Sequence, residues 1–433
     1  MKSTSRTMRF AAVFAAGALA LTACSSDDGA TPQEPGDDAP AVTEISVATA
    51  ETPWLGGYQE VVALYEEQTG VQVNLQVFPF EGLLTQQANA AQTGSNDFDV
   101  FQLNEQWVGQ FYDNEWVQPL TDIDPEFSWD PGLIEFDGLG RWDAEARSTS
   151  PSGVPYSLPI NGNIHLFMYL ESVYDELGLE VPTSWEDVIA NGEIAQDSGA
   201  TEYGYVGRGR TPAYDFSAIL FSEGGSWFAD DRGGNFEPTI NSPEGRAALE
   251  LFKGLTDIGP DAPQTVAQAE ATSLMQSGEV AHATFVAAVA AALENTENSL
   301  VAGDVGYALL PGGTPVSGAW TVGIPNGLPD DRSQAAYEFI SWLTSQEAMQ
   351  AWAEVGGVIT RSDVETERPE IQRIVESEEM IRAGFRYPFT AQLLEVTEPT
   401  IGEYLAGTIS VDEALERMDA DLRVVVTNAG FLE

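Results

Sequence analysis

EISVATAETPWLGGYQEVVALYEEQTGVQVNLQVFPF, residues 44–80, sets a β-prone run, a helical segment and a second strand in succession. EISVATA (44–50) is the first strand, GGYQEVVALYEEQTG (56–70) spaces its apolar residues as a helix does, and VQVNLQVFPF (71–80) alternates with period two. Strands separated by helices argue for a parallel sheet, since parallel neighbours need a long crossover. An α/β fold is the expectation.

The pattern repeats downstream. FEGLLTQQANAAQTG (80–94) reads as an amphipathic helix ended by Gly94, DFDVFQL (97–103) as a buried strand, and EQWVGQFYDNEWVQPL (105–120) as a helix with a loop closing on Pro119. After Pro155 a second series begins. IHLFMYL (164–170) is strand-like, ESVYDELGL (171–179) is helical, and TSWEDVIANGE (183–193) is a helix opened by a Thr/Ser cap before Glu186 and Asp187. SPEGRAALELFKGLTD (242–257) has Ser242 as cap and Pro243 at its first position. VGYALLPGG (305–313) is another strand and stop. A long helical region covers 333–357, and ISVDEALERMDADLRVVV (409–426) is the last helix.

Upstream, Lys2, Arg6 and Arg9 precede a charge-free apolar stretch from Phe10 to Leu21, the layout of a secretory signal. The stretch is too short to cross a bilayer, which takes about 20 apolar residues. Leu21-Thr22-Ala23-Cys24 resembles the lipobox of bacterial lipoproteins, in which cleavage before the cysteine leaves its thiol to carry a diacylglyceryl group. Residues 1–23 are thus expected to be a signal peptide, Cys24 the lipid attachment, and 24–43 an acylated, disordered tether rich in Pro, Gly and acidic residues.

Cys24 is the chain's one cysteine among 433 residues, which leaves no pair for an internal disulfide and no cysteine cluster for a metal or redox centre. The formal charge is −50, and removing the signal peptide makes it more negative still. Such a surface repels nucleic acid and anionic headgroups, and suits a neutral ligand better than a polyanion. The residues beyond the tether are enough for two lobes of ordinary domain size.

Six segments, taken in order, carry a family resemblance: FDVFQLNEQWVGQFYDNEWVQPL (98–120), NIHLFMYLESVYDELGLEVPTSWEDV (163–188), FSEGGSWFADDRGGNFEPTINSPEGRAALELF (221–252), MQSGEVAHATF (275–285), VGYALLPGGTPVSGAWTVGIP (305–325) and EFISWLTSQEAMQAWAEVGGVITRSDV (338–364). Together they resemble the extracytoplasmic solute-binding proteins of ABC importers, in the sugar-binding family that includes maltose-binding proteins. The resemblance implies a periplasmic-binding-protein-like fold of two α/β lobes closing over a ligand cleft. Mapped here, lobe one takes 44–155 plus 311–358 and lobe two takes 156–310 plus 359–433, with crossings near Pro155–Asn163 and Leu309–Gly313. It also implies a monomeric, non-enzymatic receptor without cofactor or metal. Such a receptor is lipid-anchored at the outer face of the cell membrane and delivers a sugar or polyol to permease subunits.

A sugar offers flat C–H faces and a rim of hydroxyls, so its site needs aromatic planes and planar polar groups. Trp320 in PVSGAWTVGIP (315–325) looks like the family's ligand-facing tryptophan, with Gly318 allowing close backbone approach. Glu51 and Trp54 lie on the loop after the first strand. Asn104, Gln106 and Trp107 follow a strand at its C-terminal end, where open α/β sheets hold ligands, while Asp99 reads as a brace of that strand. Asn161 and Asn163 fall at the first crossing, where a turn around Gly162 is the competing explanation. Tyr214 resembles a stacking tyrosine of the family, with Asp215 beside it, and Trp227 follows a Gly-Gly turn. Where relatives often carry Gly-Pro-Trp, this chain has Val286-Ala287-Ala288, so Phe285 substitutes or the site is smaller, which puts long maltodextrins in doubt. Arg361, and Arg386 with Tyr387, run along the cleft in this mapping and leave an anionic sugar open.

The competing class is a glycoside-acting enzyme using a carboxylate pair such as Glu51 with Asp215. No nucleophile elbow, zincin motif or phosphate loop accompanies it. His165 and His282 each sit in an apolar, strand-like run and read as buried structural residues.

Overall fold

The computed structural model describes residues 42–432. The segments read from sequence as signal peptide and tether, with Cys24, lie outside the described residues except for the last residues before Glu44. No described helix is long and apolar enough to cross a membrane.

Two sheets organise the described chain. In the first, Gln72–Phe78, Glu44–Ala50 and Val100–Asn104 run parallel, and Trp320–Gly323 and Ser157–Asn161 complete the order with antiparallel pairing. The helices Leu55–Thr69 and Phe80–Thr93 are the crossovers that its parallel strands require. Glu44–Ala50 is buried continuously from Val47 onward because helices cover both faces, whereas edge strand Gln72–Phe78 keeps several exposed positions. The second sheet has the order Val305–Ala308, His165–Leu170, Val280–Val286, Tyr203–Val206.

Local signals hold where they were legible. Gly94 ends its helix with φ of 64°, a conformation that costs glycine nothing. Ser184 and Asp187 form a capping box, and the Ser242 hydroxyl accepts from the Gly245 amide with Pro243 in the first turn. The late helical region is two helices, Asp330–Leu343 and Gln346–Glu354, because Ser345 accepts the Ala348 amide and starts a new one. Asp99 does brace its strand: its carboxylate accepts from the Ser46 amide and pairs with Arg332.

The lobe boundaries differ from those mapped by resemblance. Ser157–Asn161 pairs with Trp320–Gly323 and so belongs to the first sheet, and the change of sheet falls within 162–164. Gly162 is required there, since a Cβ would come 2.2 Å from the Ile359 carbonyl oxygen. On the return, Gly312 still bonds Thr183 of lobe two, so the second crossing centres on 316–319. The first lobe also keeps the chain beyond 358, where the Ile134 amide donates to Thr360 and the Thr360 hydroxyl to Pro159.

A third extended segment, 382–387, runs beside the second crossing, with Ser317 donating to the Arg382 carbonyl. Its side chains alternate across the junction: Phe385 and Tyr387 join the buried aromatic cluster of lobe two, while Arg386 reaches into lobe one.

Candidate functional site

The two sheets and the crossings enclose a chamber of about 460 Å³. On lobe one its floor is aromatic. Trp320 stands on the strand Trp320–Gly323 and meets Trp54, Phe80 and Trp107 edge to face, at centroid distances of 5.9, 5.8 and 5.7 Å. Trp54 is in turn held edge-on by Tyr58 and Trp352. Three perpendicular neighbours fix the Trp320 ring, which is what a stacking platform needs before a ligand arrives.

Polar groups surround this platform. Asn104 caps the helix Glu105–Asp113, its Oδ1 accepting from the Gln106 amide at 3.1 Å. Asn163, at the first crossing, accepts the Ala288 amide at 2.9 Å. In both, the carbonyl oxygen is committed to the backbone, and the amide nitrogen has no protein partner among the described residues. Two donors are thereby aimed by their own structural bonds. Gln106, Gly318 and Glu51 complete this side.

The lobe-two wall contains Arg208, Tyr214, Val286 and Glu398. Asp215 accepts from the Arg208 amide at 2.7 Å and from its guanidinium at 2.9 Å, and His165 contacts the same guanidinium. Burial and the adjacent arginine push His165 down to about 3, so it is neutral and can accept from Arg208. Burial, together with Glu105, raises the Tyr214 phenol. Burial pushes Glu398 up to about 7, with Arg208 opposing.

Of the residues named from sequence, Glu51, Trp54, Asn104, Gln106, Asn163, Tyr214, Gly318 and Trp320 line the chamber. The other eight do not. Trp107 stands behind Trp320 and lines a smaller apolar pocket. Asn161 is wholly buried on its strand, and Asp215 sits behind Arg208. Trp227 is lobe-two core, its indole donating to Ser217 at 2.9 Å. Phe285 points away because Val286, the next residue of the same strand, lines the chamber. Arg361 is clamped by Asp130 and Asp363, Arg386 by Glu105 and the Phe136 carbonyl, and Tyr387 donates to Asp231. Lining residues missed from sequence include Phe80, Thr211, Gln268 and Leu394, along with Arg208 and Glu398.

A family model for bacterial extracellular solute-binding proteins matches residues 49–350. The chain belongs to that family. Among solved structures, this solute-binding protein is similar to the maltose-bound MalE3 of T. maritima, with a TM-score of 0.73 and 20% identity, covering 88% of this chain and 99% of that one. It is also similar to an ABC transporter solute-binding protein of Agrobacterium radiobacter K84 in complex with ribitol, at 0.71 and 18%, covering 89% and 99%. The two-lobed fold is shared with both. A curated relative, the erythritol/L-threitol-binding protein of Mycolicibacterium smegmatis, is 23% identical over 38% of this chain and 36% of its own length. The solute-binding protein thus aligns with about a third of that relative.

Proposed function

We propose that this solute-binding protein captures an uncharged sugar or polyol in the interlobe chamber and delivers it to an ABC permease, while a lipid on Cys24 holds it at the outer face of the membrane. The observation that carries the ligand class is the Trp320 ring, fixed by three aromatic edges and flanked by the aimed amides of Asn104 and Asn163. The ring stacks on C–H faces, and the amides meet hydroxyls. Closure removes water, so each hydrogen bond strengthens. Maltose, ribitol and the tetritols named for the similar proteins fall in this class.

Charge argues for a neutral member. Arg361 and Arg386 are spent on buried or half-buried ion pairs away from the chamber, and Arg208 is matched by Asp215. Glu51 then disfavours a uronate or sugar phosphate. Val286 and Ala288, in the place where relatives carry tryptophan, favour a short ligand. Asp215, buried behind Arg208, cannot flank a glycosidic bond with Glu51, so binding without chemistry is the reading supported.

A thermal-shift screen of the soluble fragment against sugars, polyols, uronates and amino acids tests this, because a ligand bound only by the folded state raises the melting midpoint. A shift with neutral sugars or polyols is expected. A shift confined to amino acids or uronates would overturn it.

A further inference from the structure

Glu105 is completely buried and does not line the chamber, although Asn104 and Gln106 on either side of it do. Its carboxylate accepts four hydrogen bonds. Oε1 takes the Gly384 amide at 2.6 Å and the Arg386 Nε at 2.7 Å. Oε2 takes the Ser317 hydroxyl at 2.5 Å and the Ala319 amide at 3.0 Å. None of these donors comes from its own helix, and all belong to the two crossing segments 317–319 and 384–386. The Glu105 amide donates back to the Ala319 carbonyl at 3.1 Å.

From these contacts we infer that Glu105 is a positioning residue: it ties the ligand-bearing turn Asn104–Gln106 to both crossing segments, so that seating a ligand and setting the lobe angle are one event. The inference rests on the interlobe chamber being the ligand site. Gly318 and Trp320, which line the chamber beside Asn104, alternate along the chain with the residues that Glu105 holds. Arg386 extends the tie, since its remaining nitrogens donate to the Phe136 and Asp137 carbonyls of lobe one while Phe385 and Tyr387 stay packed in lobe two. One carboxylate therefore fixes the relative positions of ligand contacts from two distant stretches of chain, at the point where the lobes turn. Asp99 provides the contrast. It too is a buried carboxylate paired with an arginine, but its partners Ser46 and Arg332 both lie within lobe one, so it stabilises without spanning the junction.

The test compares Glu105→Gln, the milder Ser317→Ala and the control Asp99→Asn. Small-angle scattering reads the ligand-free lobe arrangement, and stopped-flow tryptophan fluorescence with maltose, ribitol and erythritol reads dissociation. Losing a charge-assisted buried bond at the junction should speed dissociation roughly tenfold or more in Glu105→Gln. The same variant should enlarge the ligand-free radius of gyration, and Ser317→Ala should do both to a smaller degree. Asp99→Asn should lower the melting midpoint and leave both readouts unchanged. Scattering profiles of Glu105→Gln and Ser317→Ala identical to wild type would overturn the inference, as would dissociation accelerated equally in Asp99→Asn or unaltered in all three. If wild type binds none of the three probes, the sugar reading loses support, while scattering still decides the role of Glu105.

Discussion

Trp320 and Asn104 face each other on one rung of the first sheet, with Asn161 on the opposite side of Trp320. The rung lies at the C-terminal end of Val100–Asn104, where the helix Glu105–Asp113 begins. Cap, stacking ring and hydrogen-bond donor are thus set by one strand register, and a shift of one residue would turn Trp320 away from the chamber.

Asn104 serves the fold with its oxygen and, on the proposed reading, the ligand with its nitrogen. Asn104→Asp keeps the cap, because aspartate caps helices as well as asparagine does. It also replaces the donor with a carboxylate oxygen. The expected outcome is an unchanged melting midpoint with affinity for a neutral sugar or polyol reduced roughly tenfold, measured by calorimetry. A matching loss of stability would instead assign Asn104 to the fold alone.

Glu398 makes stability depend on pH. Its folded-state value is raised from 4.5 to about 7 by burial, so between those values the folded chain holds a proton that the unfolded chain releases. Its contribution is therefore present below that window and lost as pH rises through about 7. Glu398→Gln cannot ionise. Its melting midpoint should gain on wild type as pH rises from about 5 to about 8; a difference constant across that range would contradict the assignment.

Membrane attachment through Cys24 is tested in cells. Cys24→Ser should abolish labelling by a radioactive fatty acid and release the protein from membranes. Retention at the wild-type level would show that something other than a lipid on this thiol holds it.

Local patterns carried much of the fold. The βαβ opening, the caps at Ser184 and Ser242 and the stop at Gly94 depend on neighbours within a few residues, so they were legible. The insertion of Trp320–Gly323 between Val100–Asn104 and Ser157–Asn161 joins segments far apart in sequence, and no local period announces it. The site divides in the same way. Chamber residues at or just after the C-terminal ends of strands, such as Asn104 and Trp54, could be read from the strand order. Arg361 and Arg386 could not, because an arginine faces whichever carboxylate folding brings to it, here Asp130 and Glu105. Phe285 was one residue out of phase, and in a strand one residue exchanges inside for outside.

Ligand capture in this chamber depends above all on Trp320 as the stacking platform. Titration calorimetry should be run on wild type, Trp320→Ala and the control Trp129→Ala, using the sugar or polyol that most raises the melting midpoint. Trp129 packs under Arg141 and donates to the Leu133 carbonyl, and it does not line the chamber. Removing a central aromatic anchor should weaken binding at least tenfold, about 1.4 kcal/mol, while the control binds as wild type does. Equal affinities for wild type and a folded Trp320→Ala would place the ligand outside this chamber.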